Sequence, residues 1–520
     1  MYVIHNFYML YFLHKINSIT RSCRREKDME EKRLITYEEF GAVGDGICDD
    51  ISAIAAAHAY ANDHHLPVKA KDGARYYIGK QALTAIIKTN TDWGTAEFII
   101  DDRETEDSHM PVFSVESYQE NIMLNIKSLK KNQKKLDIEL PCRCFINIQN
   151  SHARKYYREG LNVDNGTEQT DCFVADADGT IENMIIWDFD QLTSCIAHPI
   201  DEETLTLNGG IFTTIANHAE RVYNYYGRNI TIHRSNTHIS NLTHYNTEEG
   251  ESGSPYRGFL NITSCAFVTV SDCFFTGHRI YSTIGRAGLP VSMGTYDINV
   301  FRSSDISFVR CRQNNIMDDT RWGIMGTSFC KNLSLDSCVF SRFDAHMGVT
   351  NCTIRNSCLG WQCLNLIGHG TFILENTEAF GRSLINLRDD YGSTWDGTVS
   401  IHNCIWHPVN RDSSVFSAAY SGNHDFGYPC YMPVEVTIDG LTITDNDLTS
   451  DPEYHGLSIF SNYDAKINEE DDGTRRPYPY HTTRKLCVRG IRTESGKGLS
   501  IKKNPYSMPE LRYVEFMSDN

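Results

Sequence analysis

The chain has 520 residues, more than one ordinary compact domain holds, so it is either several domains or one elongated repeat fold. Its 49 Lys and Arg against 67 Asp and Glu give a net charge of -18, which argues against non-specific binding to nucleic acid or to an anionic membrane surface. Any anionic ligand must therefore be met by a local cluster of cations. The 17 Cys are dispersed and odd in number, unlike a small-domain disulfide framework, and the close pair Cys142 and Cys144 has no His at ligand spacing for zinc.

Residues 1–33 resemble an export signal only superficially. No basic residue precedes the apolar run, His5, His14 and Lys15 fall in and around it, and no small-residue cleavage site follows. They are read as an extension outside the core, which a start at Met29 would largely remove. No other stretch reaches the ~18 apolar residues of a spanning helix, so no membrane insertion is expected. Residues 34–100 read as a cap and the first coils of a solenoid, and 101–200 as coils with loop and hairpin insertions. Within the latter, SLKKNQKKL (Ser128 to Leu136) reads as a solvated basic loop, with contact to an anionic chain as the alternative, and Tyr156 to Ile181 as polar hairpins. The DADG there lacks the bidentate Glu of a calcium loop and is read as a turn.

Residues 201–450 read as the regular coils carrying the groove, and from about Asn229 to Asp445 one pattern keeps returning: apolar, polar, apolar, two polar residues, then Cys or a small residue. It reads VTVSDC (Val268 to Cys273), ISFVRC (Ile306 to Cys311), LSLDSC (Leu333 to Cys338), TIRNSC (Thr353 to Cys358), FILENT (Phe372 to Thr377), VSIHNC (Val399 to Cys404) and VTIDGL (Val436 to Leu441). Alternation inside units that repeat roughly every 20 to 40 residues is the signature of stacked β coils. The fold expected is all-β, a right-handed parallel β-helix with a short N-terminal capping helix. Cys273, Cys311, Cys338, Cys358 and Cys404 would form one inward ladder of reduced thiols, acting as small hydrophobes. After each Cys strand comes a second segment: VSMGTYD, WGIMGTS, FDAHMG, LNLIGHG, INLRDDYG and VFSAAYSG. These should stack as one sheet, loaded with chemistry unlike the others. Residues 451–520 read as C-terminal coils and a cap, with NEEDDGTRRPYPY (Asn468 to Tyr480) an exposed loop.

Near the N-terminus, EEFGAVGDGICDDISAI (Glu38 to Ile54) resembles the opening segment of the pectate-lyase-like superfamily of right-handed β-helices. There a strand leads through a Gly-rich turn into a short capping helix, which Asp49 or Asp50 would N-cap here. The resemblance implies the fold and says little of the reaction, since members include lyases, hydrolases, epimerases and phage depolymerases. It also implies an extended polysaccharide lying along one sheet.

Two chemistries compete for such a groove. Hydrolysis needs two carboxyl groups, one protonated, which Asp318, Asp319, Asp344, Asp389 and Asp390 would have to provide. Asp318-Asp319 and Gly368-His369-Gly370 match two members of the polygalacturonase set, but the other two are missing. A lyase instead removes the proton α to a uronate carboxylate, so it needs a cation to hold that carboxylate and a base near neutrality. The reading favours this: His346 or Tyr391 as base, Arg388 holding the carboxylate and His278 completing the catalytic set. Arg279, Arg321, Arg342, Asn365, Asn386, Asp344, Asp389 and Asp390 would bind substrate. The three Asp would orient Arg and His, or hold a calcium ion in place of the Arg. The expected partner is an acidic polysaccharide, a glycosaminoglycan such as chondroitin sulfate or hyaluronan, or pectin. Secretion, the periplasm or the cell surface would suit that role, though no clear export signal is visible. A non-catalytic glycan-binding solenoid is the remaining alternative.

Overall fold

The computed structural model describes residues 33–323, 325–420, 424–461, 480–502 and 513–516. The N-terminal extension apart from Arg33, the NEEDDGTRRPYPY loop apart from Tyr480, and the end of the VFSAAYSG segment lie outside the described residues. The chain winds as a right-handed parallel β-helix whose coils hydrogen-bond into one sheet of 31 strands. Equivalent positions stack coil upon coil, as in Val268↔Ile306, Ile306↔Leu333, Leu333↔Cys352, Cys352↔Phe372, Phe372↔Val399 and Val399↔Val436. Alternate residues point inward and are fully buried, which is why each strand reads apolar, polar, apolar.

What closes each recurring unit is a single residue in the left-handed region. Asp272, Arg310, Ser337, Asn356, Asn376 and Asn403 have φ of 56, 53, 58, 52, 47 and 50°. Each turns the strand through a corner in one residue, and Asn is favoured there because its short amide tolerates this conformation. The amides also bond along the stack: Asn376 Nδ2 donates to Asn356 Oδ1 at 3.2 Å, and Asn356 Nδ2 to Asp336 Oδ1 at 3.0 Å. This corner corrects the thiol ladder. The residue after each corner points inward, and the pairings of the next residues align Cys273, Cys311, Cys338, Ser357, Thr377 and Cys404. In TIRNSC the corner is Asn356, so Ser357 takes the rung and Cys358 faces the other way, half-buried. Ser357 Oγ accepts from Cys338 N at 3.1 Å, while Cys311, Cys338 and Cys404 donate their thiols to carbonyls of the coil below.

At the N-terminal end the helix Ile51–His64 lies over the opening of the core, burying Ile51, Ile54, Ala57 and Ala61. Asp50 occupies the N-cap position, but its carboxylate accepts from Val43 N and Gly44 N at 2.7 and 3.1 Å and so ties down the Gly-rich turn. Asp49 takes the helix amide of Ile51 at 3.2 Å instead.

Between the early coils and the regular ones the chain leaves the solenoid. Ile122–Met123, Cys144–Lys155, Thr167–Ala175 and Ser194–Pro199 form a separate antiparallel sheet with its own apolar core around Ile146, Ile148, Phe173 and Phe189. The sheet docks against the side of the coils. Asp171 and Lys331 meet there in a buried ion pair at 2.8 Å, and Cys172 Sγ donates to Phe329 O at 3.5 Å. Three of the four lysines of the basic loop are paired, Lys130, Lys131 and Lys135 with Asp190, Asp396 and Asp178.

Candidate functional site

One face of the solenoid consists of Leu260–Thr263, Ile298–Phe301, Met325–Ser328, Val339–Met347, Cys358–Leu366, Ser383–Leu387 and Ser414–Ser417, all parallel. The second recurring segments from WGIMGTS to VFSAAYSG contribute to the last five of these strands; VSMGTYD does not, because its VSM belongs to a hairpin pairing Tyr281–Ile284 with Pro290–Met293 and the face strand begins only at Ile298, and Leu260–Thr263 lies ahead of all six segments. The outward row of the face runs Asn261, Asn299, Gly326, Asp344, Asn365, Asn386 and Ser417. Apart from Gly326 the row is polar, and it carries one charge, Asp344.

Beside that charge the strand is irregular. Thr327 pairs with Ala345 and Ser328 with Met347, so His346 is an extra residue without a partner. A β-bulge of this kind re-aims one side chain while its neighbours keep their register. Here it turns His346, 31% exposed, toward a cavity of about 370 Å³.

Four elements wall the cavity: the sheet row itself, the Tyr281–Met293 hairpin, the loops bearing Tyr225 and Tyr256, and the Arg158–Asn162 end of the docked insertion. Arg158, Arg257, Arg342 and Arg388 all line it, and Asp344 is the single carboxylate among the lining residues. Arg342 Nη2, Arg388 Nη1 and His346 Nδ1 converge on Asp344 Oδ2 at 3.1, 3.5 and 3.5 Å. The Tyr296 hydroxyl donates to the same oxygen in a short bond. Tyr296 reaches it by lying across Gly326, where an added Cβ would stand 2.6 Å from its ring. Arg342 is held over the Trp322 ring at 4.7 Å, and the Asn365 amide oxygen accepts from its Nε and Nη2 at 2.8 and 2.6 Å. Arg388 forms a two-pronged pair with Asp390, Nε to Oδ1 at 3.0 Å and Nη2 to Oδ2 at 2.7 Å, while Arg158 Nε reaches Asp390 Oδ2 at 2.8 Å.

The electrostatics follow. Burial opposes ionisation of Asp344, but Arg342, Arg388 and His346 overcome it and hold its carboxyl well below the usual range. Arg388 is correspondingly raised by Asp344 and Asp390 against the effect of burial. His346 is lowered from 6.5, first by burial and then by Arg388, so it is neutral at physiological pH. Burial raises Tyr296, and Asp344 adds to that, so it stays a phenol.

The structure brings His346, Arg388, Arg342 and Asp344 together, with Asn365, Asn386 and Asp390 immediately behind them. The other candidates lie elsewhere. His278 is 1% exposed and outside the cavity wall, with Nδ1 2.7 Å from Glu249 and Nε2 3.1 Å from Asp297. Its ring stacks at 4.8 Å on Tyr256, whose hydroxyl donates to Asp102. Tyr391 is 2% exposed and packs behind the wall, under Arg388 and Arg158 and against the Tyr156 ring. Arg279 and Arg321 pair across a short antiparallel ladder, and Arg321 binds Asp318 and Gly277 O. Asp389 is exposed and bonds the amide of Asp390. His369 sits in Gly368–Glu375, a strand of the neighbouring face. Sequence reasoning passed over Arg158, Tyr225, Tyr256 and Arg257, because nothing in a hairpin or loop announces a contact made far away in the chain. As a calcium holder the carboxylates do not fit: Asp344 and Asp390 are each neutralised by Arg, Asp389 points away, and no cluster of three or more His, Cys, Asp or Glu suited to a metal occurs among the described residues.

No protein-family model matches the chain, and no curated protein matches it by sequence. Solved structures do. The Pseudomonas phage phi297 tailspike gp61 is 12% identical over 92% of this chain and 83% of its own, with a TM-score of 0.49. The Gp54 tailspike of Acinetobacter baumannii bacteriophage AP22, solved with A. baumannii capsular saccharide, is 9% identical over 93% and 77%, with a TM-score of 0.50. The Streptococcus pneumoniae surface adhesin PfbA is 11% identical over 91% and 100%, with a TM-score of 0.44. The likeness at this level is one of fold alone, that of the right-handed parallel β-helix.

Proposed function

We propose that the cavity takes a uronic-acid unit of an acidic polysaccharide and that the protein cleaves the chain there by β-elimination. The observation that carries this reading is the charge set: four guanidiniums line a cavity whose single lining carboxylate is already held ionised by two of them. The excess is positive in a protein of net charge -18, which suits an anionic ligand. Arg342 and Arg388, buried and fixed by Trp322, Asn365 and Asp390, present their N–H groups to the substrate carboxylate and spread the charge that develops as its α proton leaves. His346, neutral and facing the cavity, takes that proton. The electron pair becomes the double bond between the α and β carbons, the glycosidic bond at the β carbon breaks, and the departing oxygen takes a proton from water. Hydrolysis by paired carboxyls fits less well, since no protonated carboxyl lines the cavity. The AP22 tailspike, seen with a capsular saccharide, gives the fold a precedent for holding a saccharide.

The test is to incubate the protein with chondroitin sulfate, hyaluronan, heparin and polygalacturonate and follow the ultraviolet absorbance of the new double bond. A rise on one of them, lost on the order of 10²–10³-fold in Arg388→Ala and Arg342→Ala, is the expected result. New reducing ends without absorbance would replace elimination by hydrolysis. Silence in both assays with retained binding would leave a glycan-binding solenoid.

A further inference from the structure

His346 presents a difficulty that the rest of the site resolves. Arg388 Nη1 lies 2.6 Å from His346 Nδ1. A guanidinium only donates, so Nδ1 must accept, and a neutral ring then carries its proton on Nε2. In that tautomer the other nitrogen is a donor and has no lone pair to receive a proton. Yet 3.5 Å from Nδ1 lies Asp344 Oδ2, and Asp344 Oδ1 is a buried carboxylate oxygen with no hydrogen-bond partner among the described residues. The carboxylate thus keeps an unfilled acceptor in Oδ1, while Oδ2, the oxygen near His346 Nδ1, takes Tyr296, Arg342 and Arg388, and in this tautomer His346 offers the carboxylate no proton from Nδ1.

We propose that Arg388, His346 and Asp344 form a tautomer switch thrown by the substrate: a uronate carboxylate that captures Arg388 Nη1 frees His346 Nδ1 to carry a proton and donate it to Asp344, which leaves Nε2 as the base. This rests on the uronate reading of the cavity. A carboxylate outcompetes an imidazole nitrogen for the same N–H, because charge-assisted bonds are roughly twice as strong as neutral ones. The exchange balances without net uptake: Nε2 gives its proton to water, Nδ1 takes one from water, and the ring stays neutral. The charges around the ring offset one another, Arg388 and Arg158 being paired with Asp344 and Asp390, which favours a neutral product. The bulge lets the ring change partners without disturbing the ladder, since His346 has no register partner to lose. Asp344 acts here as a positioning residue, and the base exists only while an acidic sugar is bound.

The switch is read directly by nitrogen NMR of protein labelled with 15N-histidine, the His346 signal being the one lost in His346→Gln. The free protein should show the Nε2–H form, and saturation with sodium glucuronate the Nδ1–H form. Arg388→Ala should show Nδ1–H without any ligand, and Arg388→Met serves if the alanine variant does not fold. Asp344→Asn should lower kcat by ~10²-fold or more with KM little changed. An Nδ1–H ring in the free wild type, an unchanged tautomer once glucuronate is bound, or an unchanged tautomer in the Arg388 variant overturns the switch. Glucuronate that shifts no resonance overturns instead the uronate reading of the cavity, while the Arg388 variant still decides the tautomer.

Discussion

His278 provides the sharpest separation between a working residue and a structural one. It sits between Glu249 and Asp297, both almost fully buried, with the neutral His244 3.3 Å from the far oxygen of Asp297. Burial alone would keep the ring uncharged, but the two carboxylates overcome it and raise His278 from 6.5 to about 10. The buried imidazolium is therefore what holds two buried anions together. A folded pKa above the unfolded one stabilises most at low pH, fully below about 6.5, and the benefit disappears as pH rises through about 10. At ~1.4 kcal/mol per pH unit, the interval comes to roughly 5 kcal/mol, the same order as the 3–5 kcal/mol typical for breaking a buried ion pair. The perturbation is His278→Asn, and the assay is urea denaturation followed by far-ultraviolet circular dichroism in reductant at about pH 6 and about pH 10.5. The wild type should exceed the variant by several kcal/mol at the lower pH, and the gap should close at the higher. A gap that is equal at both, or widens with pH, refutes a charged His278. Full stability with lost turnover would return it to the catalytic set.

Two further perturbations test the geometry of the groove and of the fold. Gly326→Ala should push Tyr296 off the sheet row and away from Asp344, lowering kcat/KM about tenfold or more with little change in urea midpoint, since backbone conformation there is ordinary. Asn356→Ala puts a residue without an amide into the left-handed corner and should destabilise the coil by ~1–2 kcal/mol, whereas Asn356→Gly should be nearly neutral; urea melts of the two variants decide it.

The coils were legible because the corner residue and the alternation before it repeat with every turn, and inward positions must be apolar whatever the substrate. The ladder slipped by one residue at Cys358 because Cys is a weak marker of register and Asn is a strong one. Of the site, Asp344, His346, Arg342 and Arg388 were legible as polar residues in segments that the repeat places on one face. The bulge that turns His346 was not, because it is a mismatch between two strands and neither strand shows it alone. His278 and Tyr391 were recognisable as unusual residues, but their sequence neighbourhoods do not separate a buried charge relay or an aromatic wall from an open groove. Arg158 lies in a hairpin whose polar composition is what any surface loop would show.

The docked insertion also has a bearing on how the protein acquires its activity over time. A solenoid can extend coil by coil, each new turn resting on the one just made. The insertion breaks that order: Arg158 meets Asp390 across 232 residues of chain, and Cys172 meets Phe329 across 157. Contacts of such separation form late, because a long loop must close before any of them is gained. On a growing polypeptide the antiparallel sheet emerges well before the coils it leans on, and it has to wait for them. The cavity is consequently among the last features to exist, and a nascent or truncated chain ending short of Asp390 would have most of a β-helix and no closed site.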